Sequence, residues 1–415
     1  MDFPGLKKSK HRLSHFLRRF YAGIKTAPSQ GHFRTYVRGQ LSNLERKNVA
    51  AIALHEEVAP RSLQEFLEIH RWDHDRVRVR LQEVVMQEHA DAHAIAMIDE
   101  TSDAKRGDKT AGVSPQYCGA TGKTDNCVVT VHLGYVTEDF HTLVDSDLFL
   151  PESTWAYDRQ RRKEAGIPEE VIYRSKWRIG LDLLARSWAQ GMRFRYLVAD
   201  EAYGRSHLFR NEVATYEIVY VVEVPCNLQG WTKRPAVLHP SEDGVHKGRR
   251  RTKPCVAPWA PPSRRVDRLW KRGGPSWEAF HIKNTEKGPV VWEARMTRFF
   301  PWEEHLPGPQ QWLIIAHNVL TGEVKYFLSN APPETPREEI LHVAFCRAHI
   351  ERLFEDAKGQ VGWDQSEVRK YQPLMRHLIL SMVSLLFLMR ETDRPGKKKL
   401  TVECASHPSS PGRAA

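Results

Sequence analysis

Residues 94–107 read AIAMIDETSDAKRG, an apolar run that ends in Asp99 and Glu100 and passes at once into a polar turn. Alternation along a strand puts Met97 and Asp99 on one face, so Asp99 ends an otherwise buried face. A carboxylate in that position needs a partner, a metal ion or water. The run therefore predicts a short strand with Asp99 at its tip. Taken alone, Asp99 is also explained by the common use of Asp in turns.

The run RYLVAD at 195–200 repeats the arrangement and ends in Asp200, followed by Glu201. If the two strands are neighbours, their terminal carboxylates converge, and two close carboxylates repel each other unless a cation lies between them. Mg²⁺ suits such a site because it takes oxygen ligands and is typically held by one or two carboxylates plus substrate phosphates. Asp99 and Asp200 are therefore candidate metal ligands.

The segments around these acids predict a mixed sheet. Strand-like runs occupy 127–136 and 140–150, a helical stretch covers 169–191, a short helix lies near 206–215, and another strand follows at 217–225. Three strands, a helix, a strand, a helix and a strand do not form a regular βαβ alternation. The sequence predicts an α/β fold with a mixed sheet flanked by helices.

Residues 1–90 look helical and basic. Apolar residues within 13–20 recur at helical spacing, with Lys and Arg on the other faces. A second helix is predicted over Thr35–His55, and Pro60 is typical of the start of a third. DNA contact and an ordinary solvated helical face explain this region equally well.

After residue 225 the pattern changes. Residues 226–310 are rich in Pro, Gly and Trp, and strand-like runs follow at 289–296, 311–319 and 324–330. This composition predicts an inserted β-rich region. The insertion contains a basic cluster, HKGRRR, whose last residues Arg249, Arg250 and Arg251 are candidate DNA contacts, although basic loops are often merely solvated.

Two helices and a polar tail complete the chain. The first helix is predicted from Pro336 to about Gly359, and the second, strongly apolar, from about Pro373 to Arg390. The tail is rich in Pro and Ser, which predicts disorder. The predicted regions are a helical basic segment (1–90), the first part of an α/β core (91–225), an inserted β-rich region (226–330), helices that complete the core (331–392) and a disordered tail (393–415).

The first of these helices supplies a third acid. At about 100° per residue, Arg347, Glu351 and Lys358 fall within roughly 40° of one another, beside an apolar stripe that can press on the sheet. Glu351 would then lie at the edge of that contact. Glu355 is only about 40° away and is not excluded by helical geometry. A surface of i,i+4 charge pairs would explain the same stripe.

The amino-acid composition limits the classes of function that the protein can have. Lys and Arg exceed Asp and Glu by 62 − 51 = 11, and the pI is near 9.3, which favours a polyanionic partner such as nucleic acid. The six cysteines form no C-x-x-C pair, so a structural zinc site or disulfide framework is not indicated and a reducing compartment fits. The polar, basic start predicts no secretory signal, and the run at 378–389 is too short for a membrane span. A cytoplasmic protein without a membrane partner is expected.

The order of the three acids, with a β-rich insertion before the third, resembles the DDE transposases, which have an RNase H-like core. The run RAHIERLFEDAK at 347–358 is similar to the R-x-x-x-E-x-x-x-x-x-x-K helix signature of bacterial insertion-sequence transposases. IDETSDAKRG, VADEAYG and GWDQSEVRKYQPLMRHL also look like that group at the matching positions. One departure is Ala344, where the signature often has Tyr.

The resemblance implies an RNase H-like fold in which Asp99, Asp200 and Glu351 bind two Mg²⁺ or Mn²⁺ ions. Arg347 and Lys358 would contact DNA phosphates near the cut. The partners would be double-stranded DNA, as element terminal repeats and as target, and a second copy of the chain in a dimer bound to DNA ends. In a bacterial cell the protein would associate with the nucleoid when bound.

The function expected from this resemblance is metal-dependent cleavage and strand transfer at the ends of an insertion sequence. Two metal ions roughly 3.5–4 Å apart can activate first water and then a DNA 3′-OH. The sequence contains neither a Walker loop nor a G-x-S-x-G elbow. Two alternatives stay open, an RNase H-like nuclease without strand transfer and a catalytically silent DNA-binding relative.

Overall fold

The computed structural model describes residues 3–240, 252–270, 273–285 and 288–392. These residues form two compact units, one made of 3–222 with 346–392 and the other of 223–345. The three acids predicted from the sequence all fall in the first unit. The predicted DNA contacts Arg249, Arg250 and Arg251 and the predicted disordered tail lie outside the described residues.

Most helices belong to the first unit, and α10 belongs to the second. In chain order the helices are α1 (Phe3–Arg18), α2 (Ala27–Gln40), α3 (Val49–His55), α4 (Pro60–Glu68), α5 (His74–His89), α6 (Arg159–Glu164), α7 (Lys176–Ala189), α8 (Glu201–Gly204), α9 (His207–Ala214), α10 (Arg337–Phe345), α11 (Ala348–Val361) and α12 (Tyr371–Thr392). Short 3₁₀ turns lie at Tyr21–Gly23 and Val266–Arg268, and a π-helical turn at Glu152–Ala156. The predicted start of a helix at Pro60 is confirmed.

The strands β1 to β6, apart from the last residue of β6, belong to the first unit, and the remaining strands belong to the second unit. In chain order the strands are β1 (Ile95–Ala104), β2 (Ser114–Cys118), β3 (Lys123–Val136), β4 (His141–Leu148), β5 (Tyr196–Ala199), β6 (Val219–Glu223), β7 (Gln229–Trp231), β8 (Val237–Leu238), β9 (Cys255–Val256), β10 (Arg264–Arg265), β11 (Glu278–Thr285), β12 (Gly288–Glu303), β13 (Leu306–Pro307), β14 (Gln311–Asn318) and β15 (Val324–Ser329).

The sheet of the first unit is mixed. Its central strands run in the order β6–β5–β1–β3, and both β2 and β4 also pair with β3. The pairs β1–β5 and β5–β6 are parallel, while β1–β3, β2–β3 and β3–β4 are antiparallel. The mixed α/β sheet expected from the sequence is confirmed, and it is the sheet of an RNase H-like core.

Helices cover both faces of this sheet. On the face that carries Met97, a Cβ added to Gly134 would lie 3.3 Å from Cδ1 of Ile350, so α11 approaches β3 closely. On the opposite face, a Cβ on Gly180 of α7 would lie 2.8 Å from Cγ2 of Ile98. Because successive residues of a strand point to opposite faces, β1 is buried between α11 and α7.

The apolar helix α12 is the core helix of the first unit. It is long and apolar enough to span a membrane, but 83% of its most apolar window is buried inside the protein. Buried polar contacts tie it to α2: Nε2 of Gln40 donates to Oγ of Ser381 at 2.7 Å, and Oγ of Ser384 donates to Oε1 of Gln40 at 2.8 Å. Since these groups satisfy one another, the N-terminal helices are fixed to the core by specific pairing as well as by apolar packing.

The second unit is β-rich, as the sequence predicts. Its sheet runs in the order β10–β7–β12–β14–β15, with β11 and β13 also paired to β12. One face packs around a buried apolar cluster of Val224, Val266, Phe299, Leu313, Ile315 and Leu328. Near α10, the rings of Trp292 and Phe345 lie 4.9 Å apart. These contacts give the insertion a core of its own.

Two predicted helices are wrong in extent. The helix predicted over Thr35–His55 is two helices, because α2 ends at Gln40 and Asn48 starts α3 by accepting the N–H of Ala51 at 2.8 Å. The helix predicted from Pro336 to Gly359 is interrupted between α10 and α11. At that interruption the N–H groups of His349 and Ile350 donate to carbonyls three residues back, as in a tight turn.

Candidate active site

Asp99 and Asp200 are brought together by the parallel ladder between β1 and β5. The ladder pairs Met97 with Val198 and Ile98 with Ala199, so the next residue on each chain is an aspartate. Parallel strands present their carboxyl ends at the same edge of a sheet, where open α/β sheets bind their ligands. The convergence of these two acids, expected from the sequence, is present in the structure.

Asp99 is not at the tip of its strand, however. The prediction of a strand that ends at Asp99 is wrong, because β1 continues to Ala104 in an antiparallel ladder with β3. Only the parallel pairing to β5 stops at Ile98. The sheet therefore opens on one side of Asp99 and stays closed on the other, where Asp99 pairs with His132.

Arg347 supplies the positive charge at this site. Its Nη2 donates to Oδ2 of Asp99 at 3.4 Å and lies 3.9 Å from Oδ2 of Asp200. Arg347 directly precedes α11, so packing of that helix on the sheet delivers its guanidinium to the two carboxylates. Both aspartates also have backbone partners: Oδ1 of Asp99 accepts from the N–H of Glu100, and Oδ1 of Asp200 accepts from that of Ala202.

Burial dominates the electrostatics of the pair. Burial raises the pKa of Asp99 to about 7, against the opposing effect of Arg347 and with a further rise from Asp200. Burial likewise raises the pKa of Asp200, again opposed by Arg347. The side chains are 11% and 25% exposed, respectively. Two carboxyl groups thus share one positive charge in a poorly solvated place, and a second cation would stabilise their ionised forms.

Glu100 belongs to a separate network on the opposite face of β1. Its Oε1 accepts from Nζ of Lys176 at 2.6 Å, and its Oε2 accepts from the hydroxyl of Tyr203 at 2.8 Å. Both partners come from helices, Lys176 from α7 and Tyr203 from α8. This network has no signal in the sequence, because only the fold brings residues 176 and 203 to residue 100. It fixes α8, which begins directly after Asp200, against β1.

His132 is the cross-strand neighbour of Asp99 and is completely buried. Its Nε2 lies 2.7 Å from Oγ1 of Thr130, and burial, with a smaller effect of Lys358, lowers its pKa to about 3. The ring packs edge-on against Phe354 of α11 at 5.2 Å. His132 is therefore neutral, and it helps to seat α11 beside Asp99. A buried histidine in the middle of an apolar strand could have been noticed in the sequence.

Glu351 lies one turn after Arg347 in the first turn of α11 and is exposed. Glu355 is exposed as well, and Lys358 is half-buried. Within the described residues, no group of three His, Cys, Asp or Glu side chains is arranged to hold a metal ion. The structure thus brings Asp99 and Asp200 together with Arg347, while the role of Glu351 as third ligand stays a prediction.

The side chains at this site have the chemical character that a divalent cation requires of its ligands. The donors are hard carboxylate oxygens, which Mg²⁺ and Mn²⁺ prefer. The place between the carboxylates already attracts a cation, since Arg347 occupies it. Asp99 and Asp200 would hold the ion, with Glu351 as the proposed third ligand.

A mixed sheet of the RNase H type with paired aspartates at the ends of adjacent parallel strands defines a nuclease-type core. A family model described as "DDE superfamily endonuclease" matches residues 19–288, more than half of the chain. The chain therefore belongs to the DDE superfamily endonucleases, as its resemblance to DDE transposases indicated. The matched residues include Asp99 and Asp200 and end before Arg347 and Glu351.

A curated relative supports the same assignment. The chain is 31% identical over 193 residues to a protein of Microchaete diplosiphon described as "Probable transposase for insertion sequence element IS701". The similarity covers 46% of this chain and 47% of that protein. It thus spans about half the length of the curated relative that it matches.

Proposed function

We propose that the protein is a DNA transposase that cleaves DNA at the ends of an insertion sequence and joins the freed ends to target DNA. One observation carries the proposal: Asp99 and Asp200 lie side by side at the open edge of an RNase H-like sheet, under the guanidinium of Arg347. Membership of the DDE superfamily endonucleases and the similarity to an insertion-sequence transposase support it.

The proposed cofactor is Mg²⁺ or Mn²⁺, two ions per site, held by Asp99, Asp200 and Glu351. When bound, these ions would lower the pKa of an attacking water and neutralise charge on the leaving oxygen. The protein's part is to fix the carboxylates in one place: the β1–β5 ladder sets the spacing of Asp99 and Asp200, and the packing of α11 sets the position of Glu351.

Two positively charged side chains, one just before α11 and one within it, would contact the DNA phosphates. Arg347 contacts both aspartates in the structure, and we propose that it turns to the scissile phosphate when metal and DNA bind. Lys358 is half-buried two turns after Glu351, close enough to His132 and Asp103 to alter the pKa of each. It would contact a phosphate further along the DNA. An arginine suits the first role because its planar fork matches phosphate oxygens.

The proposed partners are double-stranded DNA, as terminal repeats and as target, and a second copy of the chain when two DNA ends are held together. The chain's net charge of +11 supports a polyanionic partner. The proposed location is the bacterial cytoplasm, on the nucleoid when the protein is bound to DNA. A nuclease that cuts without joining is the second candidate, because the paired aspartates alone would serve cleavage.

The test uses purified full-length protein, end-labelled DNA that carries the element's terminal repeats, and Mg²⁺. We expect cleavage at the repeat ends followed by joined products with target DNA. Cleavage that never yields joined products would replace the proposal with the nuclease. A mobility shift without cleavage, in Mg²⁺ and in Mn²⁺, would leave only a DNA-binding protein.

A further inference from the structure

A cleft of about 620 Å³ opens in the first unit, and its lining contains neither aspartate of the candidate active site. It lies where the 3₁₀ turn after α1, the connection between α4 and α5, and the start of α12 come together. Four positively charged side chains line it: Lys25, Arg71, Arg76 and Arg376. We refer to it as the Arg376 cleft.

Arg376 is a buried cation, and no acid among the residues that the structure describes forms an ion pair with it. Its residue is 2% exposed, and its Nη1 and Nη2 donate to the carbonyl oxygens of Leu67 and Trp72 at 2.8 and 2.9 Å. Its Nε has no hydrogen-bond partner within the described part of the chain, and burial lowers its pKa to about 10. The charge of Arg376 is therefore not neutralised by the protein around it.

The other three cations stand at the mouth of the cleft. Lys25, Arg71 and Arg76 are all exposed. None of them forms an ion pair with another residue in the ranges that the structure describes. Positively charged side chains that lie near one another repel, and this repulsion raises the free energy of the protein. An unpaired group of this kind therefore favours binding of an anion.

The two acids of the lining do not cancel this charge. Glu68 pairs with Lys370 at the rim. Asp73 is the N-cap of α5, and its Oδ1 accepts the backbone N–H of Arg76 at 2.9 Å. The N-cap hydrogen bond leaves Asp73 charged, so Asp73 is the acid of the lining that opposes its four cations.

The start of α12 adds to the positive potential. Gln372, in the first turn of this 22-residue helix, lines the cleft, and that turn contains no acid. The positive end of the helix dipole lies at this start, where the N–H of Tyr371 donates to the carbonyl of Ala165 and Pro373 has no N–H, so Gln372 supplies the N–H group. Phosphate groups bind at such ends.

We propose that the Arg376 cleft binds a phosphate group of the DNA backbone. The indole of Trp72 in the lining offers no open face to a nucleobase, because Trp72 is 6% exposed and packs between Phe66 and Arg376. The cleft would therefore hold DNA without reading its sequence, as phosphate contacts generally do. This inference rests on the proposed function, since it takes DNA as the substrate.

A purely structural role explains only part of the arrangement. Arg376 caps the last carbonyls of α4, and that role would account for its contacts with Phe66 and Leu67. It does not account for three exposed, unpaired cations around the same cleft. The test therefore leaves Arg376 in place and changes Arg71 and Arg76, whose removal uncovers no buried group.

The experiment compares Arg71→Ala/Arg76→Ala with a matched control, Arg193→Ala/Arg195→Ala, in the full-length protein. Arg193 and Arg195 are also exposed and belong to the same unit, ahead of β5 and outside the cleft. Dissociation constants for labelled terminal-repeat DNA are measured by fluorescence anisotropy over a range of salt concentrations. We expect the cleft variant to bind roughly tenfold more weakly and its salt slope to fall by about 1–2. The control should keep the wild-type slope.

Equal salt slopes of DNA binding for the two variants would overturn the proposal, because the loss of affinity would then be a general effect of removing positive charge. Thermal shifts with inorganic phosphate and with ATP test a free anion instead. The proposal would also be overturned if these small anions stabilised the wild type but not the cleft variant while the salt slope of DNA binding was the same for both proteins. If the wild type cleaves DNA while the cleft variant binds normally, only this inference fails. If the wild type binds no DNA, the proposed function fails with it.

Discussion

Asp99 and Asp200 are neighbours across two parallel strands, and a single nitrogen of Arg347 lies 3.4 Å from the first carboxylate and 3.9 Å from the second. The strands fix the spacing of the acids, and α11 supplies the cation. Without metal, the guanidinium of Arg347 thus neutralises part of the negative charge of the two carboxylates. This makes their burial compatible with a stable fold.

Asp99→Asn should remove DNA cleavage and leave DNA binding close to that of the wild type. The amide keeps the size of the side chain but loses the charge that a divalent cation requires. Cleavage of labelled terminal-repeat DNA and anisotropy with the same DNA measure the two properties. Glu201→Gln is the matched control, because Glu201 is an exposed acid next to Asp200. Normal cleavage by the Asp99 variant would refute the site.

Glu351→Gln and Glu355→Gln decide which acid of α11 completes the site. Both residues are exposed, so neither change should lower the stability of the fold. We expect the Glu351 variant to lose cleavage and the Glu355 variant to retain it. The reverse result would move the third ligand one turn along the helix.

Arg347→Ala should raise the affinity of the DNA-free protein for Mn²⁺, because the ion no longer competes with the guanidinium for the two carboxylates. Titration followed by electron paramagnetic resonance measures it without any catalytic readout. In the absence of metal, the free energy of unfolding should fall by roughly 1–3 kcal/mol, since two buried acids lose their cation. Arg347→Lys is the control that keeps the charge. An unchanged Mn²⁺ affinity in the Ala variant would show that Arg347 does not compete with metal.

Gly134→Val should separate α11 from the sheet. A Cβ at Gly134 would already lie 3.3 Å from Cδ1 of Ile350, and the two further methyl groups have no room. Overpacking of this kind costs about 1–3 kcal/mol, and here it also displaces Arg347 and Glu351. Urea unfolding and the cleavage assay measure both effects.

The control for that change comes from α11 itself. A Cβ added to Gly359 meets nothing within 4 Å, so Gly359→Ala should stabilise the helix by up to about 1 kcal/mol and leave cleavage intact. If both glycine variants behaved alike, close packing at Gly134 would not be what positions α11.

His377 should make the fold sensitive to acid. Burial lowers its pKa to about 4, while Nδ1 lies 2.9 Å from the hydroxyl of Tyr36 and Nε2 2.9 Å from the carbonyl of Trp363. The charge of Lys105 lowers that pKa further. A pKa below the unfolded value of about 6.5 means that this stabilisation is complete above pH 6.5 and is lost as the pH falls towards 4.

Urea unfolding at pH 7.5 and pH 4.5 tests this expectation against His377→Leu. The wild type should lose up to about 3 kcal/mol more than the variant between the two values, because two pH units separate pH 4.5 from the unfolded pKa. Equal losses would mean that His377 does not titrate as its burial implies.

The sequence predicts the mixed sheet, and it predicts that the two aspartates converge if their strands are neighbours. Both follow from local patterns: each aspartate ends an apolar run, and runs of that kind form buried strands whose carboxyl ends meet. The extent of β1 beyond Asp99 did not follow, because residues 100–103 are polar and join the sheet through their ladder with β3. Pairing between distant segments overrode the local signal.

The interruption before α11 could not be predicted from the sequence for a different reason. Residues on both sides of Cys346 have helical periodicity, so the pattern predicts one helix, whereas the break between α10 and α11 coincides with the boundary between the two compact units. The break within Thr35–His55 was more accessible, since Asn48 is a favourable N-cap. The helix signature at 347–358 singles out Arg347, but the position of Arg347 over Asp99 depends on a contact across 248 residues of chain.

The first unit is assembled from two stretches of chain that residues 223–345 separate. A ribosome that has translated the insertion has already released both aspartates, but Arg347, α11 and the core helix α12 have yet to emerge. The growing polypeptide therefore carries two acids without their counter-charge and an open sheet face without its cover. Under the proposed function, the candidate active site is completed only after residues 223–345 have been translated, and a shorter nascent chain lacks Arg347 and Glu351.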